Sequence, residues 1–488
     1  MHLLKAGALT IAASSLLWVQ IAFVHQAGLA NLPGSAWRFW DDMTIAIARF
    51  VDRTSGAPRL ETSEGDLAAL AGHRALVESK IENTDLKPTE FWRTVNDQKF
   101  RLKHAPFAAP KFEDPGRSLL LLAGFRVLGG VAPYLLVWIG ALAFIPVLFW
   151  ISWEFVATGH GTAGLGFATL VSFSPYWAEC LSLPHSAVAF YLGGLVALAA
   201  FAMAAFLPRA GGPLAWRSLA WRGALLAALL IVDVWCRSGS IFFVPVAIVV
   251  ATIGFHRGGL SKARASALAL ALIALPVAAL RPHEVHSVWA ALWEGLGDFG
   301  TDHGYSWYDA DASRHLGEHH GLPVRRELRY ITAAEEKAFG EDFIHDVTTN
   351  PLWYARVLGR RLAATTLLTH LDPWGPRDGE SRRTPLFHYK YTTPVDWFGW
   401  EDGAREVPVS VLYVPTLVLI LASLARRPAG LGELGVLGAI AAATLPVPVL
   451  ITTAGALETQ AFTLVYFLGA AFLLQRGVDT LTNRFQRA

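Results

Sequence analysis

Apolar and polar positions alternate along the chain in long blocks: ten mostly apolar runs are separated by short loops and by two large polar stretches. The runs fall near residues 6–29, 131–153, 163–180, 186–206, 222–236, 240–256, 264–281, 406–424, 430–451 and 457–474. A helix needs about 20 apolar residues to cross a hydrocarbon core, so the pattern predicts an all-α polytopic membrane protein with about ten transmembrane helices. The segment from Ser118, LLLLAGFRVLGG, is too short to span with Arg126 inside it, and is expected along or in the interface. In the first polar stretch, Leu60 to Thr84 places leucines and alanines at helical spacing with charges opposite, which predicts an amphipathic helix. The organisation expected is helix 1 in 1–29, an external loop subdomain in 30–117, helices 2–7 in 118–281, a second external region in 282–405, and helices 8–10 with a tail in 406–488.

Charge orients this arrangement. The loops LPRAGGPLAWRSLAWR (207–222) and HRGGLSKARA (256–265) carry Lys and Arg without an acid, and the loop ARRPAGLGE and the tail are also basic. Basic loops face the cytoplasm, and counting spans from an inside N-terminus puts all of these inside and both polar stretches outside. A cleaved signal ending near Gly28-Leu29-Ala30 is the rival reading of the first run. The run is long for a signal core, and the loop charges fit a retained helix. The setting expected is a bacterial cytoplasmic (inner) membrane with the active face outside.

Composition agrees. The chain of 488 residues is 53% hydrophobic and 16% charged, against about a quarter charged in soluble proteins. Its 18 tryptophans suit membrane interfaces, where one part of the ring is dry and another wet. The two cysteines, Cys180 and Cys236, are too few for a disulfide framework or a four-ligand zinc site. A single bridge between them is open, as is plain apolar packing.

Candidate chemistry collects at the expected outer ends of the helices. Asp41 and Asp42 open the helical-looking stretch WRFWDDMTIAIARFVDR; YWAECLSLPHS carries Glu179 and His185; DVWCRSGS carries Asp233, Arg237 and Ser238. Ionisable groups at membrane depth are costly and mark functional sites. No comparable set is expected on the cytoplasmic side. Transfer of a sugar to a hydroxyl needs a carboxylate to take the acceptor proton and a cation for the departing phosphate. Asp41 or Asp42 suits the first role, and Arg237 with Ser238 the second, because a guanidinium binds phosphate oxygens through paired donors. Either Asp can instead hold a divalent cation, Mg or Mn, on the donor phosphate. Either can also simply cap its helix. In the second region Asp298, Asp302, Tyr305 and Trp307 form a candidate sugar surface, with Glu179 and His185 as further substrate contacts. His315 and His319 are four apart, so a helix would put them on one face, but the irregular histidine spacing favours a structural role over a metal site.

One helix, then an external loop opening with an acidic pair, then short-looped spans with Glu179 and Arg237 at outer ends, resembles the GT-C class of membrane glycosyltransferases. The stretch FIHDVTTNPLWYARVLGRRL also looks like the N-P-x-x-Y-x-x-x-x-x-x-R segment that precedes the C-terminal spans of such proteins. The resemblance implies a polyprenyl-phosphate-linked sugar donor, a glycan, lipid or protein acceptor, and a catalytic carboxylate from the first external loop, here Asp41 or Asp42. The partners expected are that donor, that acceptor and membrane lipids, with no nucleic acid. The rivals are a flippase-like lipid or polysaccharide transporter, and an O-antigen-ligase-like or polymerase-like transferase of preassembled glycans. A transporter would carry polar residues through mid-helix positions, whereas here they sit at helix ends.

Overall fold

The computed structural model describes residues 2–26, 135–174, 186–209, 212–281, 288–297, 309–324, 331–367, 413–425, 430–451 and 461–486, with isolated positions 116, 119, 120, 123, 177 and 181. The described elements are all helical. In chain order they are α1 (His2–Gln26), α2 (Leu135–Ala157), α3 (Gly161–Phe173), α4 (Ser186–Phe206), α5 (Trp216–Cys236), a 3-10 turn (Ser238–Phe242), and α6 (Phe243–Arg257). Then come α7 (Lys262–Leu280), α8 (Val288–Gly295), α9 (Asp309–His320), α10 (Ala333–Thr349), α11 (Pro351–Leu367), α12 (Tyr413–Ala425), α13 (Gly430–Thr444, closed by a π turn Val447–Ile451) and α14 (Thr463–Phe485). Lipid offers no partner for backbone N–H and C=O groups, so apolar runs of this length close their hydrogen bonds internally as helices.

A helix occupies each of the ten stretches expected to span. Seven are long and apolar enough to cross a membrane: His2–Val19, Ile139–Ala157, Trp216–Cys236, Ser238–Arg257, Lys262–Leu280, Leu431–Ile451 and Thr463–Phe485. That count of seven is of the described residues, by length and composition. The 13-residue α3 rises about 20 Å, short of the roughly 30 Å hydrocarbon core. Helix α4 runs 21 residues, Ser186–Phe206. The protein is an α-helical membrane protein.

Helix α4 is the axis of the bundle. Leu195 to Met203 are all fully buried, and α4 packs against α2, α5, α6 and α13. A helix that is apolar all round belongs in the middle of a bundle, and its alanines and glycines let neighbouring backbones approach closely. On α6, for example, a Cβ at Gly254 would meet Ala205 Cβ at 2.9 Å. Prolines set the irregular turns. Pro276 follows the π turn Leu270–Ala274 of α7, and Pro448 lies in the π turn of α13. Each lacks the N–H that a regular helix would use.

The helices run alternately, so the polar groups sort to two ends. At the basic end lie Arg209 and Arg222 beside Glu154 of α2, Arg257 donating to the Ala205 and Phe206 carbonyls, and Arg476 of α14 beside Glu433 of α13. At the other, distal end lie the end of α5, the 3-10 turn and the end of α7, joined by the Trp235 indole donating to the Leu280 carbonyl at 2.6 Å. Helices α8–α11 attach at the distal end, around a small core of Ala290, Trp293, Leu316, Ala338, Phe339 and Phe343. The Tyr466 hydroxyl donates to the Thr366 carbonyl at 2.6 Å and so ties α11 to α14.

Candidate functional site

At the distal end, α5 stops at Cys236 and Arg237 leaves the helix in an extended conformation, φ −153° and ψ 105°. Its N–H still donates to the Asp233 carbonyl at 2.6 Å. Ser238 then opens the 3-10 turn that leads into α6. The sequence CRSGS breaks here because Gly239 and two serines are poor helix formers and compete for backbone bonds. The break leaves Arg237 and Ser238, both half-buried, at the distal end of the bundle. One turn inside, Asp233 is 2% exposed and its Oδ2 has no hydrogen-bond partner. That carboxyl lies against the backbone of Gly194 on α4: a Cβ there would come 2.6 Å from Asp233 Cγ and overlap the oxygen. Nearby, the Tyr191 and Phe243 rings lie 4.9 Å apart.

Helices α8–α11 supply further polar groups on the same side. His315 and His319 share a face of α9 as their spacing predicts, with ring centroids 4.4 Å apart. Their anchor is Asp342 on α10, which no sequence pattern marks. His315 Nε2 lies 2.8 Å from Asp342 Oδ2, and His320 Nε2 lies 2.9 Å from the same oxygen. Asp342 thereby links α9 to α10 through both histidines. Arg361, the arginine of the N-P-x-x-Y segment, is fully buried and donates to the Val449 and Leu450 carbonyls of the α13 π turn at 3.3 and 3.2 Å. Burial raises the half-buried Tyr354 hydroxyl above its ordinary value, and the Arg361 charge opposes this.

Glu336 of α10 caps α8, accepting from the Trp289 and Ala290 N–H groups at 2.7 and 3.2 Å. Burial pushes its carboxyl above the ordinary value, against the pull of backbone donors at Trp289, Ala290 and Val288. The folded state therefore holds this proton more tightly than the unfolded chain. The group favours folding most below its unfolded-state value, and that contribution falls as pH rises through the folded one. Glu336→Gln is expected to flatten the pH dependence of thermal stability across that acid window; an unchanged slope refutes the assignment.

Of the expected site residues, the structure places Arg237 and Ser238 together. Asp41, Asp42, Glu179, His185, Asp298, Asp302, Tyr305 and Trp307 lie outside the described residues, as does Cys180, while Cys236 is buried. The expectation that polar groups avoid the basic side is corrected. Fully buried Glu154 of α2 pairs with Arg209 and with Arg222 Nε at 3.0 Å, and accepts from the Trp150 indole at 3.2 Å. A second set joins Glu433 to Arg476 and to His160 Nε2 at 3.5 Å, with Thr158 on the other His160 nitrogen at 3.0 Å. A lone acid closing the apolar run of α2, ahead of an acid-free basic loop, was the available signal.

No protein-family model, no curated protein and no solved structure matches the chain.

Proposed function

We propose that this protein is a GT-C-like membrane glycosyltransferase that moves a sugar from a polyprenyl-phosphate-linked donor to a hydroxyl of a glycan, lipid or protein acceptor. The observation that carries the reading is the helix break at the distal end, which sets Arg237 and Ser238 side by side on the side that also bears α8–α11. A guanidinium at that depth suits the phosphate of a lipid-linked donor, whose polyprenyl chain stays in the bilayer.

In the reaction the acceptor oxygen attacks the anomeric carbon, the bond from that carbon to the phosphate oxygen breaks, and polyprenyl phosphate leaves with the electron pair. The acceptor proton passes to a carboxylate, assigned to Asp41 or Asp42. Arg237 and Ser238 stabilise the departing phosphate. A Mg or Mn ion on the aspartate pair is the alternative use of those carboxylates. Asp298, Asp302, Tyr305 and Trp307, with Glu179 and His185, are assigned to the sugars. The external face of a bacterial inner membrane is the proposed setting.

The test is transfer from a radiolabelled polyprenyl-phosphate sugar by the purified full chain, with and without a chelator. Asp41→Asn or Asp42→Asn is expected to lower transfer about a hundredfold or more. Arg237→Gln should raise KM for the donor about tenfold or more, in line with the loss of a charged hydrogen bond. Wild-type rates in both aspartate variants would refute the catalytic assignment. Movement of intact donor across proteoliposomes without release of sugar would favour a flippase-like transporter.

A further inference from the structure

The basic end carries positive charge that the acids packed there do not neutralise. Glu154 receives both Arg209 and Arg222, so this trio keeps one surplus charge. Burial lowers the Arg209 guanidinium from its ordinary value, an effect Glu154 opposes and Arg222 reinforces. Its Nε is buried with no hydrogen-bond partner. The other described acids at this end are engaged elsewhere: Glu433 by Arg476 and His160, and Asp479 by the Gln475 amide at 2.8 Å. Arg257 is held by the last carbonyls of α4.

The surplus adjoins a lipid-facing flank. Arg217 and Trp221, four residues apart on α5, share one face and are both exposed, with Trp221 at 55%. The Arg222 guanidinium lies 4.5 Å from the Trp221 ring centroid, and that of Arg217 lies 5.5 Å from the Trp216 ring. Tryptophans of this kind settle at the level of lipid headgroups. An exposed arginine, an indole on the same helix face and a fixed guanidinium against that indole together match a phosphate borne by two acyl chains. Plain surface lysines lack such a fixed backing.

We propose that Arg217, with Trp221 on the same face of α5 and Arg222 against that indole, binds the phosphate of an anionic phospholipid at the basic end of the bundle. The site is independent of the proposed glycosyl transfer, which is assigned to the opposite end. Its ligand is a monoanionic phosphodiester headgroup such as phosphatidylglycerol. Arg217 supplies the adjustable contact, Arg222 and the Arg209 paired with it on Glu154 supply the fixed field, and the indole packs on the glycerol and upper acyl carbons.

The experiment is native mass spectrometry of the purified full chain with phosphatidylglycerol or phosphatidylcholine, together with thermal stability in nanodiscs of each lipid. Phosphatidylglycerol is expected to be retained preferentially and to raise the melting midpoint. Arg217 is exposed, so Arg217→Gln leaves the packing intact and should weaken retention about fivefold. The pair Lys262→Gln and Arg264→Gln, exposed on α7 at the same end, should leave it unchanged. Equal retention of the two lipids, or an equal loss in the α7 pair, overturns the site. Stabilisation by millimolar inorganic phosphate matching that by the lipid would also overturn it, by assigning the pocket to a free anion.

Discussion

Glu154→Ala is expected to lower the stability of the folded bundle by about 3–5 kcal/mol, the usual cost of stranding the partners of a buried ion pair. The alanine would leave Arg222, itself 6% exposed, and Arg209 facing each other across the end of α2 with no anion between them. It would also strip the Trp150 indole of its acceptor. Arg222 would keep Ser218, whose carbonyl and hydroxyl lie 3.0 and 2.9 Å from its Nη1, and the face of the Trp221 ring. The measurement is the melting midpoint of the purified protein, followed by size-exclusion fluorescence. Because the loss comes from stranded charge, the triple variant Glu154→Leu, Arg209→Met, Arg222→Met should recover most of it. A triple variant as unstable as Glu154→Ala would show that the pairs contribute true attraction, and a single variant as stable as wild type would sink the argument.

That cluster also marks where sequence reasoning stopped. The lengths of the apolar runs fix where helices form, because lipid allows no other backbone solution. They say little about which helix faces lipid. Helix α4 and the mostly lipid-exposed α7, whose spanning window is 22% buried, are both apolar, and only the density of small residues in YLGGLVALAAFAMAAF hinted that α4 is the centre. Charges were harder. Arg209 and Arg222 read as loop residues facing water, and their burial depends on Glu154, which lies on a different helix. The shared face of His315 and His319 follows from helical period, whereas Asp342 could be found only once α9 and α10 were docked. The break at Arg237 and Ser238 was legible because serine and glycine interrupt a helix wherever they cluster.

Gly194→Ala is expected to be among the most damaging single-methyl changes in the molecule. The new Cβ would overlap the Asp233 carboxyl, with Cγ only 2.6 Å away. Both residues sit where α4 and α5 are closely packed. Asp233 is 2% exposed, so it cannot swing into solvent without parting the helices. Overpacking of this kind costs about 1–3 kcal/mol, and more where backbone is the obstacle. The partner variant separates sterics from chemistry. Asp233→Ala removes a buried oxygen that has no hydrogen-bond partner, and deleting such a group is close to neutral for stability or favourable. The double variant Gly194→Ala, Asp233→Ala should then regain most of the loss, with a coupling of about 1–3 kcal/mol in a thermal-stability cycle. Additive effects would show that the glycine serves some other contact. The same pair bears on function, because an unpartnered carboxyl one turn below Arg237 is costly to keep in a membrane bundle. If Asp233→Ala folds as well as wild type yet loses sugar transfer, the carboxyl is held there for the reaction at the distal end. If it transfers normally, Gly194 and Asp233 form a packing joint between α4 and α5.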